Sequence, residues 1–147
     1  MSETGALLGG EYSGHYFFKE RWFGFDDGLY SGARLVEMLT LDVASLDEAL
    51  DQLPQSASSA EISIPIEEHE KLEAIERLQQ APEFEEGEIT TLDGVKVDFS
   101  TGWGLVRASN TSARLTARFE ADTEEELQQI KALFERALSS QGLQLEQ

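Results

Sequence analysis

Four alternating segments between residues 89 and 121, followed at once by a capped amphipathic helix, restrict what this chain can fold into more than any other feature. Ile89 to Leu92, then Asp93-Gly94, then Val95-Lys96-Val97-Asp98-Phe99 reads as a β-hairpin, because Asp-Gly between alternating apolar residues suits a tight turn. Trp103 to Ser109 and Leu115 to Ala121 supply two more strands, the second alternating through Leu115, Ala117, Phe119 and Ala121. Thr123-Glu124-Glu125-Glu126 is a capping box opening a helix to about Ser139, with Leu127, Ile130, Leu133, Phe134, Ala137 and Leu138 inward. Upstream, Glu61 to Ile66 alternates, and Pro65, which has no N–H to give, places that strand at an edge or ends it. Glu67 to Gln80 reads as a helix with Leu72, Ile75 and Leu78 inward, and Glu83-Phe84-Glu85-Glu86-Gly87 as a solvated acidic loop. Residues 61–147 therefore predict a complete α+β domain, an antiparallel sheet with two helices on one face.

Residues 1–55 follow a different pattern. Leu8 to His15 is a glycine-rich loop, Tyr16-Phe17-Phe18 a short buried strand, and Lys19 to Phe25 a mixture of charge and aromatics. Asp26 or Asp27 can cap a helix to about Thr40 with Leu29, Ala33, Val36 and Leu39 on one face. Ser45-Leu46-Asp47-Glu48 opens a second, short helix carrying Leu46, Ala49, Leu50 and Leu53, which Pro54 ends. The strand has no evident partner, so these residues are expected to be an incomplete α/β piece of a larger protein. Residues 56–60, small and polar, are the expected linker.

The net charge of −18 is spread over the chain: residues 1–55 hold 10 acids and 3 bases (−7), and residues 56–147 hold 19 acids and 8 bases (−11). Such a field repels polyanions, which argues against nucleic acid and anionic membrane as partners. No cysteine is present, so disulfides and thiolate metal sites are excluded. The apolar runs are too short to cross a bilayer and no signal peptide is evident, which makes cytoplasm the expected location. An anionic ligand would need locally arranged donors.

Gly102 to Ser112 offers them. Arg107, Ser109, Asn110 and Thr111 gather a guanidinium, two hydroxyls, an amide and a run of backbone N–H groups within a few residues, as a phosphate requires. An ordinary polar hairpin turn uses the same residue types, and both readings stand on chemistry alone. Likewise Glu11, Ser13 and His15 form either a ligand loop or a solvated turn, with glycines that permit close backbone approach.

Taken together, the two loops resemble the α-D-phosphohexomutase family, and within it the phosphomannomutase/phosphoglucomutase branch. The resemblance is carried by Gly10 to His15, Phe17 to Gly28, Asp98-Phe99 with Gly102 to Thr111, and Arg118 to Leu127, and extends over nearly the whole chain. It implies the end of the third and all of the fourth of four domains: a sugar-binding α/β piece at 1–55 and a phosphate-binding domain of TATA-binding-protein-like fold at 61–147. It further implies that Glu11 and Ser13 hold sugar hydroxyls, with His15 a candidate acid/base group near the reacting end. Arg107, Ser109, Asn110 and Thr111 would grip the phosphate that is not transferred. The implied ligand is a hexose phosphate (mannose or glucose 1- or 6-phosphate), and the implied partners are the remaining mutase domains. Ser109-Asn110-Thr111, and more loosely Tyr12, favour the mannose/glucose branch over a glucosamine one.

Nothing in the chain resembles that family's phosphoserine nucleophile or its Asp-rich magnesium loop, so no metal or cofactor is expected on these residues and Mg2+ belongs to the full-length enzyme. The chain alone is expected to be inactive. Where the family loop continues Thr-Thr-Pro, this chain has Thr111-Ser112-Ala113-Arg114, with Arg114 expected to face solvent. The alternatives are a stand-alone phosphosugar-binding module and a non-catalytic interaction domain.

Overall fold

The glycine-rich segment near the N-terminus is itself a strand in the computed structural model, which describes residues 1, 4–11, 13–41 and 45–145. These divide into two units, Met1–Pro54 and Gln55–Gln147.

In the first unit, β1 (Leu8–Gly10) pairs antiparallel with β2 (Tyr16–Phe18), Gly10 opposite Tyr16, and Phe17 bridges to Asp26. The strand expected at Tyr16 thus has a partner after all. It is not buried, since Tyr16 is 46% exposed. Extended glycines make a flat partner: a Cβ on Gly10 would come within 3.3 Å of the Tyr16 ring. Helix α1 (Gly28–Leu41) begins where Asp27 Oδ1 accepts the Tyr30 N–H at 3.0 Å, and α2 (Leu46–Asp51) where Ser45 Oγ accepts the Glu48 N–H at 3.2 Å. The apolar face expected on α1 is open, with Leu29 90% and Val36 61% exposed. No described residue of this unit is buried.

Rings and ion pairs hold the unit instead. Trp22 stacks on Tyr30 with centroids 4.4 Å apart, and Phe18 meets Tyr30 edge-on. Arg21 grips Glu37 with both terminal nitrogens, at 2.9 and 2.6 Å, while Arg34 pairs with Glu20. Arg21 holds φ at +57°, a conformation unfavourable for a side-chain-bearing residue, and this fork helps to fix it there.

The second unit is one antiparallel sheet. Strand β8 (Arg114–Ala121) lies centrally, with β3 (Ala57–Ser58) and β4 (Ile62–Pro65) along one side and β7 (Gly102–Ala108) on the other. Beyond β7 come β6 (Val95–Phe99) and β5 (Glu88–Thr90). Pro65 ends β4, opposite Arg114. Helices α3 (Lys71–Leu78) and α4 (Glu124–Ser139) contribute Ile75, Leu78, Leu127, Ile130 and Phe134 to the core that the sheet supplies with Val97, Val106, Leu115 and Phe119. Thr123 Oγ1 accepts the Glu126 N–H at 3.3 Å and donates to Glu126 Oε2 at 2.7 Å, so both residues of the expected box take part in the cap. Sheet and helix approach closely at Gly104, where a Cβ would fall 2.3 Å from the Phe134 ring. This is the α+β class with an antiparallel sheet that the alternation implies.

Three local expectations are corrected. Leu72 faces outward, 74% exposed, because a 3-10 turn at Glu68–Glu70 delays the α-helix proper until Lys71. Its inward positions are then Lys71, Ala74, Ile75 and Leu78. Phe84, within the acidic loop, is 1% exposed: a 3-10 turn at Pro82–Phe84 delivers its ring to within 4.5 Å of Phe134. The 56–60 stretch is not simply a linker, since Ala57 and Ser58 pair with Ala121 and Glu120 and the Ser59 N–H bonds the Phe119 carbonyl at 2.9 Å.

Candidate functional site

The connection between β7 and β8 is Ser109 to Ala113, closed by the Ala108–Leu115 pair. Alternation along β7 buries Val106 and so turns Arg107 outward, where its guanidinium reaches Asp93 Oδ2 at 3.4 Å across the β5–β6 turn. Inside the connection, the Ser109 N–H bonds the Arg114 carbonyl at 3.0 Å and the Arg114 N–H bonds the Ser112 carbonyl at 2.9 Å. The Ser109 and Ser112 hydroxyls lie 2.9 Å apart, and the Thr111 N–H reaches Ser109 Oγ at 3.4 Å. Asn110 and Thr111 are exposed, as is Arg114. The four residues proposed from sequence therefore share one small, polar loop end with a cation at its edge.

One contributor was missed. Lys71, 6% exposed, extends from the start of α3 to the loop, with Nζ donating to the Ser109 carbonyl at 2.7 Å and the Ser112 carbonyl at 3.2 Å. The available signal was spacing: a lysine stands at the first position of the Lys71, Ala74, Ile75, Leu78 stripe.

The β1–β2 connection brings Glu11, Ser13 and His15 together in the first unit. The Glu11 N–H bonds the His15 carbonyl at 2.9 Å, the Gly14 N–H bonds the Glu11 carbonyl at 3.0 Å, and Gly14 turns the chain at φ +84°. Ser13 Oγ donates to Glu11 Oε2 at 3.1 Å and lies 2.6 Å from His15 Nδ1. A hydroxyl has one proton, so while Ser13 gives it to Glu11, His15 must donate from Nδ1. Nε2, 3.8 Å from Asp26 Oδ2, is then the nitrogen left to take a proton. The sequence offers Asp26 as a helix cap and gives no sign of this contact. Tyr12 lies outside the described residues.

The same unit has an open, mainly apolar groove of about 770 Å³ between β2 and α1, lined by Tyr16, Phe18, Leu35 and Met38. Beside it Arg21 holds the Glu37 carboxyl below the usual carboxylate range through their hydrogen bond, and Glu37 together with Glu20 raises Arg21. Among the described residues no three His, Asp or Glu side chains converge as a metal site, and no helix is long and apolar enough to cross a membrane.

Residues 61–137 match the family model described as phosphoglucomutase/phosphomannomutase, C-terminal domain, and residues 1–57 match alpha/beta/alpha domain III of the same proteins. This chain belongs to the phosphoglucomutase/phosphomannomutase family. It is 56% identical over 140 residues to a phosphomannomutase/phosphoglucomutase of Pseudomonas aeruginosa, covering 95% of this chain and 30% of that protein. A phosphoglucomutase of Neisseria gonorrhoeae is 51% identical over 142 residues, covering 95% of this chain and 31% of the relative. The crystal structure of a phosphoglucomutase/phosphomannomutase family protein from Burkholderia thailandensis superposes with a TM-score of 0.81 at 43% identity, over 95% of this chain and 29% of that one. The chain thus spans about 30% of the length of the family members it matches.

Proposed function

We propose that this chain is the substrate-binding C-terminal portion of a phosphomannomutase/phosphoglucomutase, which interconverts hexose 6-phosphate and hexose 1-phosphate, and that it works with that enzyme's remaining domains. Residues 1–55 are the sugar-binding piece and 61–147 the phosphate-binding domain. The observation that carries the reading is the β7–β8 loop, where Arg107, Ser109, Asn110 and Thr111 set a charged fork beside short neutral donors in a chain of net charge −18. In that role Arg107 exchanges Asp93 for the phosphate that is not transferred, and the hydroxyls and Asn110 take up its remaining oxygens. Glu11 accepts from sugar hydroxyls, Ser13 gives or takes one further bond, and His15 exchanges a proton at Nε2 near the reacting end. A fixed phosphate anchor also supplies remote binding energy for positioning. The described residues do not fit the Mg2+ expected of the whole enzyme, so no step is routed through a metal on this chain.

Alone, the chain should bind glucose 6-phosphate with a dissociation constant of about 1 mM, equivalent to about −4 kcal/mol, because only part of the enclosure is present. Amide shifts during titration should fall on residues 107–113. Arg107→Ala should reduce them at least tenfold in affinity, since a charge-assisted bidentate partner is lost. An unchanged titration in that variant would remove the phosphate assignment. Turnover by the pure chain, with magnesium and a hexose bisphosphate supplied, would remove the claim that it only binds.

A further inference from the structure

Lys71 is nearly enclosed, and its three N–H donors meet three acceptors: the Ser109 carbonyl at 2.7 Å, the Ser112 carbonyl at 3.2 Å and Glu68 Oε1 at 2.7 Å. A buried ammonium is tolerated where its hydration is replaced donor for donor, as it is here. Two of those acceptors belong to the β7–β8 loop. Glu68 balances the charge, so the effect of Lys71 on the loop is orientation more than net attraction.

The direction of those carbonyls fixes something else. The described peptide bonds are trans, and in a trans unit the carbonyl of one residue and the N–H of the next point opposite ways. With the Ser109 and Ser112 carbonyls turned toward Lys71, the N–H groups of Asn110 and Ala113 are turned away from it. Neither has a hydrogen-bond partner among the described residues, whereas the N–H groups of Ser109, Thr111 and Arg114 are engaged within the loop. Two unengaged backbone donors, three residues apart, thus both face away from the buried cation and are free to meet an anion.

We propose that Lys71 is a positioning residue of this site, which holds the loop so that the backbone N–H groups of Asn110 and Ala113 are presented to a phosphate monoester. This rests on reading the loop as a phosphate anchor. Lys71 touches no ligand itself.

The test is a titration of the 147-residue chain with glucose 6-phosphate, followed by 1H–15N amide spectra. In the unmodified chain the largest downfield shifts should fall on Asn110 and Ala113, and the smallest loop shifts on Ser109 and Arg114. Lys71→Met keeps the stem and removes the donors. It should raise the dissociation constant roughly tenfold and abolish the excess shift at Ala113, because the loop must then be ordered by the ligand. Lys71→Arg, which keeps charge and donors, should recover most of that loss. A lysine serving only the fold would lower the Tm and leave both affinity and shift pattern unchanged below it. Wild-type affinity and shifts in Lys71→Met overturn the proposal and leave the phosphate site standing. No loop shift in the unmodified chain overturns the site reading and the proposal with it. If Lys71→Met does not fold, the unmodified chain still decides, since shifts concentrated on Ser109 and Arg114 would contradict the orientation.

Discussion

Residues 1–54 contain no buried side chain among those described, whereas residues 55–147 enclose Phe84, Phe119 and Phe134 almost completely. Both lengths carry amphipathic helices with well-formed N-caps. In α4 the apolar stripe meets a sheet, and Ile130 and Phe134 are sealed. In α1 the stripe of Leu29 and Val36 is open, and the unit relies on ring stacking and on Arg21, Arg34, Glu20 and Glu37. Amphipathic spacing therefore reports that a face is made to be covered, and not that it is covered here. Order from a sealed core is cooperative and insensitive to salt. Order from exposed ion pairs is local, and is screened.

Truncating the core should break the second unit outright. Phe134→Ala removes a ring that touches Phe84, Phe119 and Gly104, and should cost about 3–5 kcal/mol in urea unfolding followed by near-UV signal. A loss under 1 kcal/mol would mean that the core is not cooperative. The two caps offer a smaller, matched comparison. Thr123→Ala should lower the main unfolding free energy by about 1 kcal/mol, because α4 is part of the core. Ser45→Ala deletes the same chemistry from α2, yet should leave the main transition unmoved and only speed amide exchange near Glu48.

Acid sharpens the contrast further. The Glu37 carboxyl is held below its ordinary range by Arg21, so its folded value lies under its unfolded one. Its contribution is then fully present above the ordinary carboxylate range and fades as pH falls through the folded value. Backbone amides of Tyr30 to Met38 should shift in that acidic window, and added salt should diminish the effect. No such shift would detach Glu37 from the ordering of α1.

Strand pattern and capping were legible in the sequence because they depend on neighbours: Thr123 with Glu126, and Leu115 alternating to Ala121. Errors arose where a turn or a contact that the local pattern does not encode decided the matter. A 3-10 turn before Lys71 rotates the whole helix and exchanges Leu72 for a lysine on the inner face. Phe84 is buried against Phe134 of α4, a contact that an acidic local sequence cannot announce. Leu8 to Gly10 lacks β-forming side chains, and its strand exists through pairing with Tyr16 to Phe18. The candidate site was readable residue by residue in Glu11, Ser13, His15 and Arg107 to Thr111. The two side chains that act on those loops, Asp26 and Lys71, lie 11 residues beyond His15 and 38 before Ser109 in the sequence.

The enclosure of Lys71 has a chemical consequence as well. Of the four lysines, Lys19, Lys96 and Lys131 retain surface, while Lys71 is 6% exposed with each donor occupied. An amine-selective acylating reagent should therefore modify the other three and spare Lys71 for as long as the loop above it keeps its shape. Protection of one side chain then reports, by mass spectrometry, on a loop several residues long that contains no lysine of its own.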